Sequence, residues 1–441
     1  MSVKITRVQR LALTHFRGIR HLTLDFTENV TVLVGVNGAG KTSIIEAIRA
    51  LMASLLHAVQ TETGGTLPRR GKQQKQLQSI YLWDSDVHVE QRKMSLDISA
   101  VVANQNLNWS IQAQSMLPGE LETYSNLKEV FTFAAELGLQ TIDDPLVELP
   151  LAIYYAVGRG SVRDYALEEG IQNQLSAYED ALTGTSISSA RPFISWFRRR
   201  EDYENEKRLD DSDFRDAQLQ AVRRATESLL PGFSDLRVRR QPMRMVIRKG
   251  KTELELRHLS EGERYLLALG ADIARRLALA NPVDEQPELC SALVLIDEID
   301  THLHPSWQRH VVPSLARTFP NCQFIVTTHS PQVLSEVRPE CIYLLLQEGK
   351  QLHVVRPEAS FGRDSNRILE DILGVAARPD RIKDGLREYF RLIDSNALEE
   401  AKKLRLELEQ EIGRTEPEFA RADVLIRRKE LLNRETHRQG S

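Results

Sequence analysis

The chain has 441 residues, 41% hydrophobic and 27% charged, with a formal net charge of -4 at pH 7. That is the profile of a soluble globular protein with a sizeable core, and it excludes a histone-like polycation or a solvating acidic tail while leaving room for a local basic patch. Three scattered cysteines, Cys290, Cys322 and Cys341, exclude a disulfide framework and a cysteine-rich zinc site. There is no run of ~20 apolar residues to span a membrane. Met1–Gln9 lacks the apolar segment of a signal peptide. The expectation is a cytoplasmic protein with no membrane partner.

In chain order, the first 35 residues read as strands: Leu22, Leu24 and Phe26 alternate with polar residues, and Val30–Val34 is a β-branched run. A glycine-rich turn precedes helical spacing from Thr42 to Val59, and Thr61–Gln78 reads as a polar loop. Strand patterns return at Met94–Val102, Trp109–Gln112 and Leu151–Val157. Asp164 to Leu230 is charged and helical in pattern, broken by Thr183–Ser189. Strands resume between Leu236 and Leu256, followed by a helix over Ser260–Ala280. Ala292–Ile296 and Gln323–Thr327 are short apolar runs of the kind that form buried parallel strands. The tail from Asp364 to Arg438 reads as charged helices. The order predicts one α/β core in two halves, 1–115 and 236–355, separated by a mostly helical insertion, 116–235, and followed by a helical tail, 356–441.

Gly35-Val36-Asn37-Gly38-Ala39-Gly40-Lys41-Thr42 fits G-x-x-x-x-G-K-[ST] in full, after a strand and before a helix, as the motif requires. Its glycines let backbone N–H groups close around phosphate oxygens at a helix N-terminus. Gly35, Asn37, Gly38, Ala39, Gly40, Lys41, Thr42 and Ser43 are therefore candidates for binding ATP. Lys41 is the candidate for the β and γ phosphates, and the Thr42 hydroxyl for Mg²⁺.

Leu293–Ile296 is an apolar run ending in two carboxylates. Asp297 is the second candidate for Mg²⁺, and Glu298 the candidate to polarise an attacking water. Ser260 with Glu263 forms a capping-box pattern at the start of a helix, and such a terminus with Gly262 also suits a γ-phosphate. His329, after the strand that follows the acidic pair, is placed to sense that phosphate. His302 and His304 stand two apart, without the spacing of a zinc site.

These motifs, in this order, resemble the ABC-type ATPases of the RecF, SMC and OLD group. Thr14-His15-Phe16-Arg17-Gly18-Ile19 looks like the group's N-terminal "NFRG" element, with His15 in place of asparagine, which nominates Arg17 as a nucleotide contact. Leu259-Ser260-Glu261-Gly262-Glu263 is similar to the "LSGGQ" signature, Asp297–Pro305 to the acidic motif and D-loop, and Thr328-His329-Ser330-Pro331 to the switch. Tyr154-Tyr155 through Arg159, Phe193–Phe197 and Ile368–Arg378 look like a bacterial defence branch, the PtuA-type ATPases of Septu anti-phage systems. Neither Asp86 nor Gln91 fits the group's Q-loop, and that role stays open.

The resemblance implies an α/β fold: an ABC ATPase head with a P-loop parallel or mixed sheet, a mostly helical insertion and a helical C-terminal tail. It implies ATP hydrolysis with Mg²⁺ in composite sites, where the signature of one copy completes the site of another, hence a homodimer or higher homo-oligomer. A PtuA-like chain further implies an HNH-type nuclease subunit as partner. The alternatives are a RecF-like DNA repair ATPase and a scaffold with marginal ATP turnover. After Ser330 the chain has no Asp-x-Asp pair of the kind a fused TOPRIM nuclease needs.

Non-specific DNA contact has two candidate regions. Leu236–Thr252 holds seven basic residues, Arg237, Arg239, Arg240, Arg244, Arg248, Lys249 and Lys251, and no acidic one. Arg69, Arg70, Lys72 and Lys75 lie in a second acid-free stretch. Both read equally as solvated faces. Phe193, Trp196 and Phe197 read either as packing anchors or as base-stacking groups.

Overall fold

The computed structural model describes residues 4–27, 29–64, 82–117, 120–156, 173–184, 190–349 and 351–439. The chain divides into two compact units, Met1–Ile368 and Leu369–Ser441. Arg69, Arg70, Lys72, Lys75 and Arg159 lie outside the described residues.

The first unit is built on three sheets. Strands β1 (Arg7–Phe16) and β2 (Ile19–Asp25) form a hairpin, and β3 (Val30–Gly35) runs into the phosphate loop and helix α1 (Lys41–Thr63). Strands β4 (Lys93–Val102), β5 (Gln105–Leu117) and β6 (Glu120–Asn126) join the hairpin in an antiparallel sheet of order β2-β1-β4-β5-β6. Helix α2 (Lys128–Asp143) and strand β7 (Ala152–Tyr155) follow, then α3 (Ala190–Asp210) and α4 (Ala217–Leu229). Strands β8 (Phe233–Arg240), β9 (Met243–Lys249) and β10 (Thr252–Glu255) make a small antiparallel sheet that leads to α5 (Glu261–Ala280). Further along lie β11 (Leu293–Ile296), α6 (Pro305–Thr318), β12 (Gln323–Thr327), a short helix over Pro331–Leu334, β13 (Ile342–Glu348) and β14 (Gln351–Val355).

The six-stranded sheet that positions the site has the order β14-β13-β3-β12-β11-β7. Its pairs from β13 to β7 are parallel, and β14 adds an antiparallel edge. Every residue of β3, β11 and β12 is buried, because elements cover both faces of the sheet; this is why these strands are continuous apolar runs. Ile44, Ile45, Ile48, Leu51 and Leu55 of α1 are fully buried, each side chain contributing about 1.5–3 kcal/mol. The Trp109 indole N–H donates to the Leu51 carbonyl at 3.0 Å, fastening β5 to α1. By length and composition α1 qualifies as a membrane span, against the sequence expectation, but 67% of its apolar window is buried inside the protein.

Three features depart from the expected segmentation. Strand β6 lies inside the range 116–235 read as a mostly helical insertion; its burial alternates only between exposed and half-buried, so it leaves little apolar pattern. Strand β7 lies in the same range but pairs in parallel with β11, register Tyr155 to Ile296, and so belongs to the core sheet. The range 116–235, which also includes the start of β8, therefore contributes to three sheets as well as to helices. The second unit starts at Leu369, later than the expected tail boundary. Its helices α7 (Asp380–Asp394), α8 (Leu398–Ile412) and α9 (Pro417–Gln439) bury Tyr389, Ile393, Ala401, Phe419 and Ala422.

Candidate active site

Because β12 sits between β3 and β11, the segments leaving these strands are neighbours: the phosphate loop, the switch segment and the acidic pair. This is the carboxyl end of a parallel sheet, where α/β folds place ligands. The loop needs its glycines. Gly38 and Gly40 have φ of +81° and +95°, which side chains disfavour, and a Cβ at Gly35 would lie 2.8 Å from the Leu345 carbonyl oxygen. Gly40 is the N-cap residue of α1, so the helix opens directly behind the loop.

Lys41 Nζ donates to the carbonyls of Gly35 and Val36 at 2.8 and 3.0 Å, folding over its own loop. Burial pushes its ammonium below the usual lysine range, against the pull of Asp297, Glu298 and Asp300. Thr42 Oγ1 donates to Asp297 Oδ2 at 3.0 Å, although the two residues are 255 apart in sequence. A hydroxyl and a buried carboxylate at this distance form a hard oxygen donor pair, which fits Mg²⁺ better than a softer metal.

The other Asp297 oxygen, Oδ1, accepts from Thr327 Oγ1 at 2.6 Å, and Thr327 Oγ1 itself accepts from the Glu298 N–H at 2.7 Å. The Asp297 N–H donates to the Tyr155 carbonyl at 2.9 Å. Glu298 has φ of +50°, an uncommon conformation for a side-chain-bearing residue, and its Oε2 accepts from Thr301 Oγ1 at 3.1 Å. Thr328 Oγ1 donates to Asp300 Oδ1 at 2.6 Å, so the switch segment is bonded to the D-loop as well. His329 is half-buried in this segment, and Ser330 beside it caps the following short helix through Gln332 and Val333 N–H groups. The sequence reading missed Thr327 and Thr301. The detectable signal for Thr327 was a lone polar residue ending an apolar strand.

Arg17 lies at the β1–β2 turn with φ of +51°. Its Nε donates to Asp86 Oδ1 at 2.7 Å, and the Trp83 N–H donates to Asp86 Oδ2 at 2.7 Å. The Asp86 carboxylate is thus engaged by Arg17, whereas Gln91 is exposed.

At the signature, the capping box is formed: Ser260 N–H donates to Glu263 Oε2 at 2.9 Å and Glu263 N–H to Ser260 Oγ at 3.3 Å. A Cβ at Gly262 would lie 3.2 Å from the His302 carbonyl oxygen, so the glycine lets the D-loop approach. His302 Nδ1 pairs with Glu261 Oε1 at 2.8 Å, and His304 Nδ1 bonds Ser306 Oγ at 2.9 Å; the two imidazoles serve the signature and the start of α6.

The basic stretch is acid-free only in sequence. Arg237 and Arg239 share Glu253, Arg240 pairs with Glu201 and Asp202, Arg244 with Glu255, Arg248 with Asp235, and Lys249 with Glu263. Trp196 and Phe197 are 3% and 0% exposed and cluster with Phe193, which makes this group packing anchors. The three cysteines are free; Cys290 and Cys322 are buried, and burial pushes the Cys322 thiol up to about 12.

A family model described as "AAA domain" matches residues 10–229, and one described as "AAA domain, putative AbiEii toxin, Type IV TA system" matches 167–335. The chain is 31% identical to the retron Ec83 probable ATPase of Escherichia coli, over 92% of this chain and 84% of that one. It is 26% identical to the retron Vc95 probable ATPase of Vibrio cholerae, over 82% of this chain and 78% of that one. It is 22% identical to Septu protein PtuA of Bacillus thuringiensis, over 88% and 89% respectively.

Proposed function

The chain belongs to the PtuA-like family of RecF/SMC-type ATPases, with an ABC-type α/β head, and we propose that it hydrolyses ATP in composite sites shared between two copies, as part of an anti-phage defence system. The observation that carries the reading is the hydrogen-bonded set Thr42–Asp297–Thr327, which joins the phosphate loop, the acidic strand and the switch strand. Lys41 would exchange its loop carbonyls for the β and γ phosphates, and the backbone from Gly35 to Ser43 would cradle them. Thr42 and Asp297 would hold Mg²⁺, which neutralises phosphate charge when bound. Glu298, oriented by Thr301, would take the proton of the water that attacks the γ-phosphorus; the bond to the β–γ bridging oxygen breaks, and ADP and phosphate leave. His329 would contact the γ-phosphate from the same copy, and Ser260 and Gly262 from the other. Arg17 would contact the nucleotide from the β1–β2 turn.

Ser260→Arg is expected to abolish hydrolysis while leaving ATP binding intact, because the bulky cation blocks a site held by the partner copy. Mixed with Lys41→Ala chains it forms dimers with one complete site, and turnover should return to about a quarter to a half of the unsubstituted rate, following the site arithmetic of independent additive sites. Absence of rescue, with both variants folded and subunits exchanging, would show that each site is contained in one chain.

The biological output we propose is control of a separate HNH-type nuclease subunit, with non-specific DNA contact. Any DNA contact through β8–β10 would have to displace the carboxylates that pair its arginines, which limits its strength. Purified protein incubated with plasmid and linear DNA, Mg²⁺ or Mn²⁺, with and without ATP, should leave the DNA uncut. Cleavage that co-elutes with this chain would overturn the division of labour.

A further inference from the structure

The signature turn carries two carboxylates, Glu261 and Glu263, where the composite-site reading brings a polyanion. Their environments differ in a way that decides which one matters. The Glu261 side chain is 62% exposed, so water screens it, whereas the Glu263 side chain is 11% exposed. An unscreened carboxylate within the first helical turn would cancel the attraction of the α5 N-terminus for phosphate. Glu263 is not left alone. Its Oε1 accepts from Lys249 Nζ at 2.7 Å, and its Oε2 accepts from the Ser260 N–H. Lys249 ends β9, and its ammonium also lies 5.0 Å from the centre of the Phe233 ring, which fixes where the charge sits. Burial alone would push the Glu263 carboxyl up, but the bonds from Lys249 and Ser260 hold it below the usual carboxylate range, so it is ionised and paired. The Ser260 hydroxyl accepts from the Glu263 N–H at 3.3 Å, which closes the capping box around the same carboxylate.

We propose that Lys249 is a positioning residue that neutralises Glu263, so that the signature turn of one copy can receive the γ-phosphate of ATP held by a second copy. The proposal rests on the composite-site reading. It also gives one member of the basic stretch a role other than DNA contact, and explains how a signature with a buried acidic residue remains compatible with an anionic ligand.

The test uses the full-length chain in a Glu298→Gln background, with ATP-dependent self-association followed by sedimentation and ATP affinity by calorimetry. Lys249→Met should weaken self-association by roughly ten- to a hundredfold, the scale of an uncompensated like-charge contact, with ATP affinity of the single chain unchanged. Lys249→Arg should keep most of the association. Adding Glu263→Gln to Lys249→Met should restore it, because the charge that needed neutralising is gone. A double variant as defective as Lys249→Met, with both melting as the parent does, would make Lys249 a packing residue and overturn the proposal. Unchanged association in Lys249→Met overturns it as well. If the Glu298→Gln parent itself shows no ATP-dependent association, the composite-site reading fails and takes the proposal with it, an outcome distinct from a defect confined to the Lys249 variants.

Discussion

Lys41→Ala is expected to lower ATP affinity by roughly two orders of magnitude. Charge-assisted hydrogen bonds contribute about 1.5–3 kcal/mol each, and a lysine ammonium at the β and γ phosphates makes at least one or two of them. Among the described residues the ammonium donates to the carbonyl oxygens of Gly35 and Val36, and burial pushes it below the usual lysine range despite the pull of Asp297, Glu298 and Asp300. Polyanion binding therefore restores a favourable environment to a charge the fold has partly stripped of water. The substitution removes a side chain that reaches back over its own loop, so the helix behind it should survive and the melting temperature should change little. Calorimetric titration of ATP checks the effect, and an unchanged Kd would remove the phosphate-loop assignment.

Glu298→Gln should leave ATP binding near the parent value and slow single-turnover hydrolysis by on the order of a hundred- to ten-thousandfold, the range of general-base contributions. The amide keeps the shape of the carboxylate, and its oxygen still accepts from Thr301 Oγ1. The backbone at this position, with φ of +50°, is held by the N–H bond to Thr327 Oγ1, which the substitution does not touch. Only the proton acceptor is lost, so the effect falls on the transition state rather than on binding. The same variant should accumulate an ATP-bound dimer, seen by sedimentation. Quenched-flow measurement at saturating ATP decides the matter, and unaffected single-turnover hydrolysis would move the base to another residue.

The local motifs are legible along the chain. A loop with glycines at Gly35, Gly38 and Gly40 before Lys41 needs positive φ and close backbone approach, and those demands are written in residue types alone. The capping box at Ser260 and Glu263 is likewise a local hydrogen-bond pattern, and it forms. The apolar runs of β3, β11 and β12 announced buried parallel strands, since strands covered on both faces cannot alternate. Strand β6 was not legible because neither of its faces is fully buried, and β7 was legible as a strand but not as a member of the core sheet, because its partner β11 lies about 140 positions away and chain order carries no register.

Which distant groups meet depends on how the strands are ordered in the sheets. The order β3-β12-β11 puts Thr327 between the phosphate loop and the acidic pair, where its hydroxyl ties Asp297 to the Glu298 backbone. The hairpin turn brings Arg17 to Asp86, although the two are 69 residues apart in sequence. The small sheet β8–β10 shows most sharply why. A run of seven basic residues without an acid looks like a surface for phosphates along the chain, yet the fold supplies carboxylates from the start of β8, from β10, from α3 and from the start of α5 to pair six of them. Charge acts through space over a few ångströms, and sequence separation carries no information about that distance.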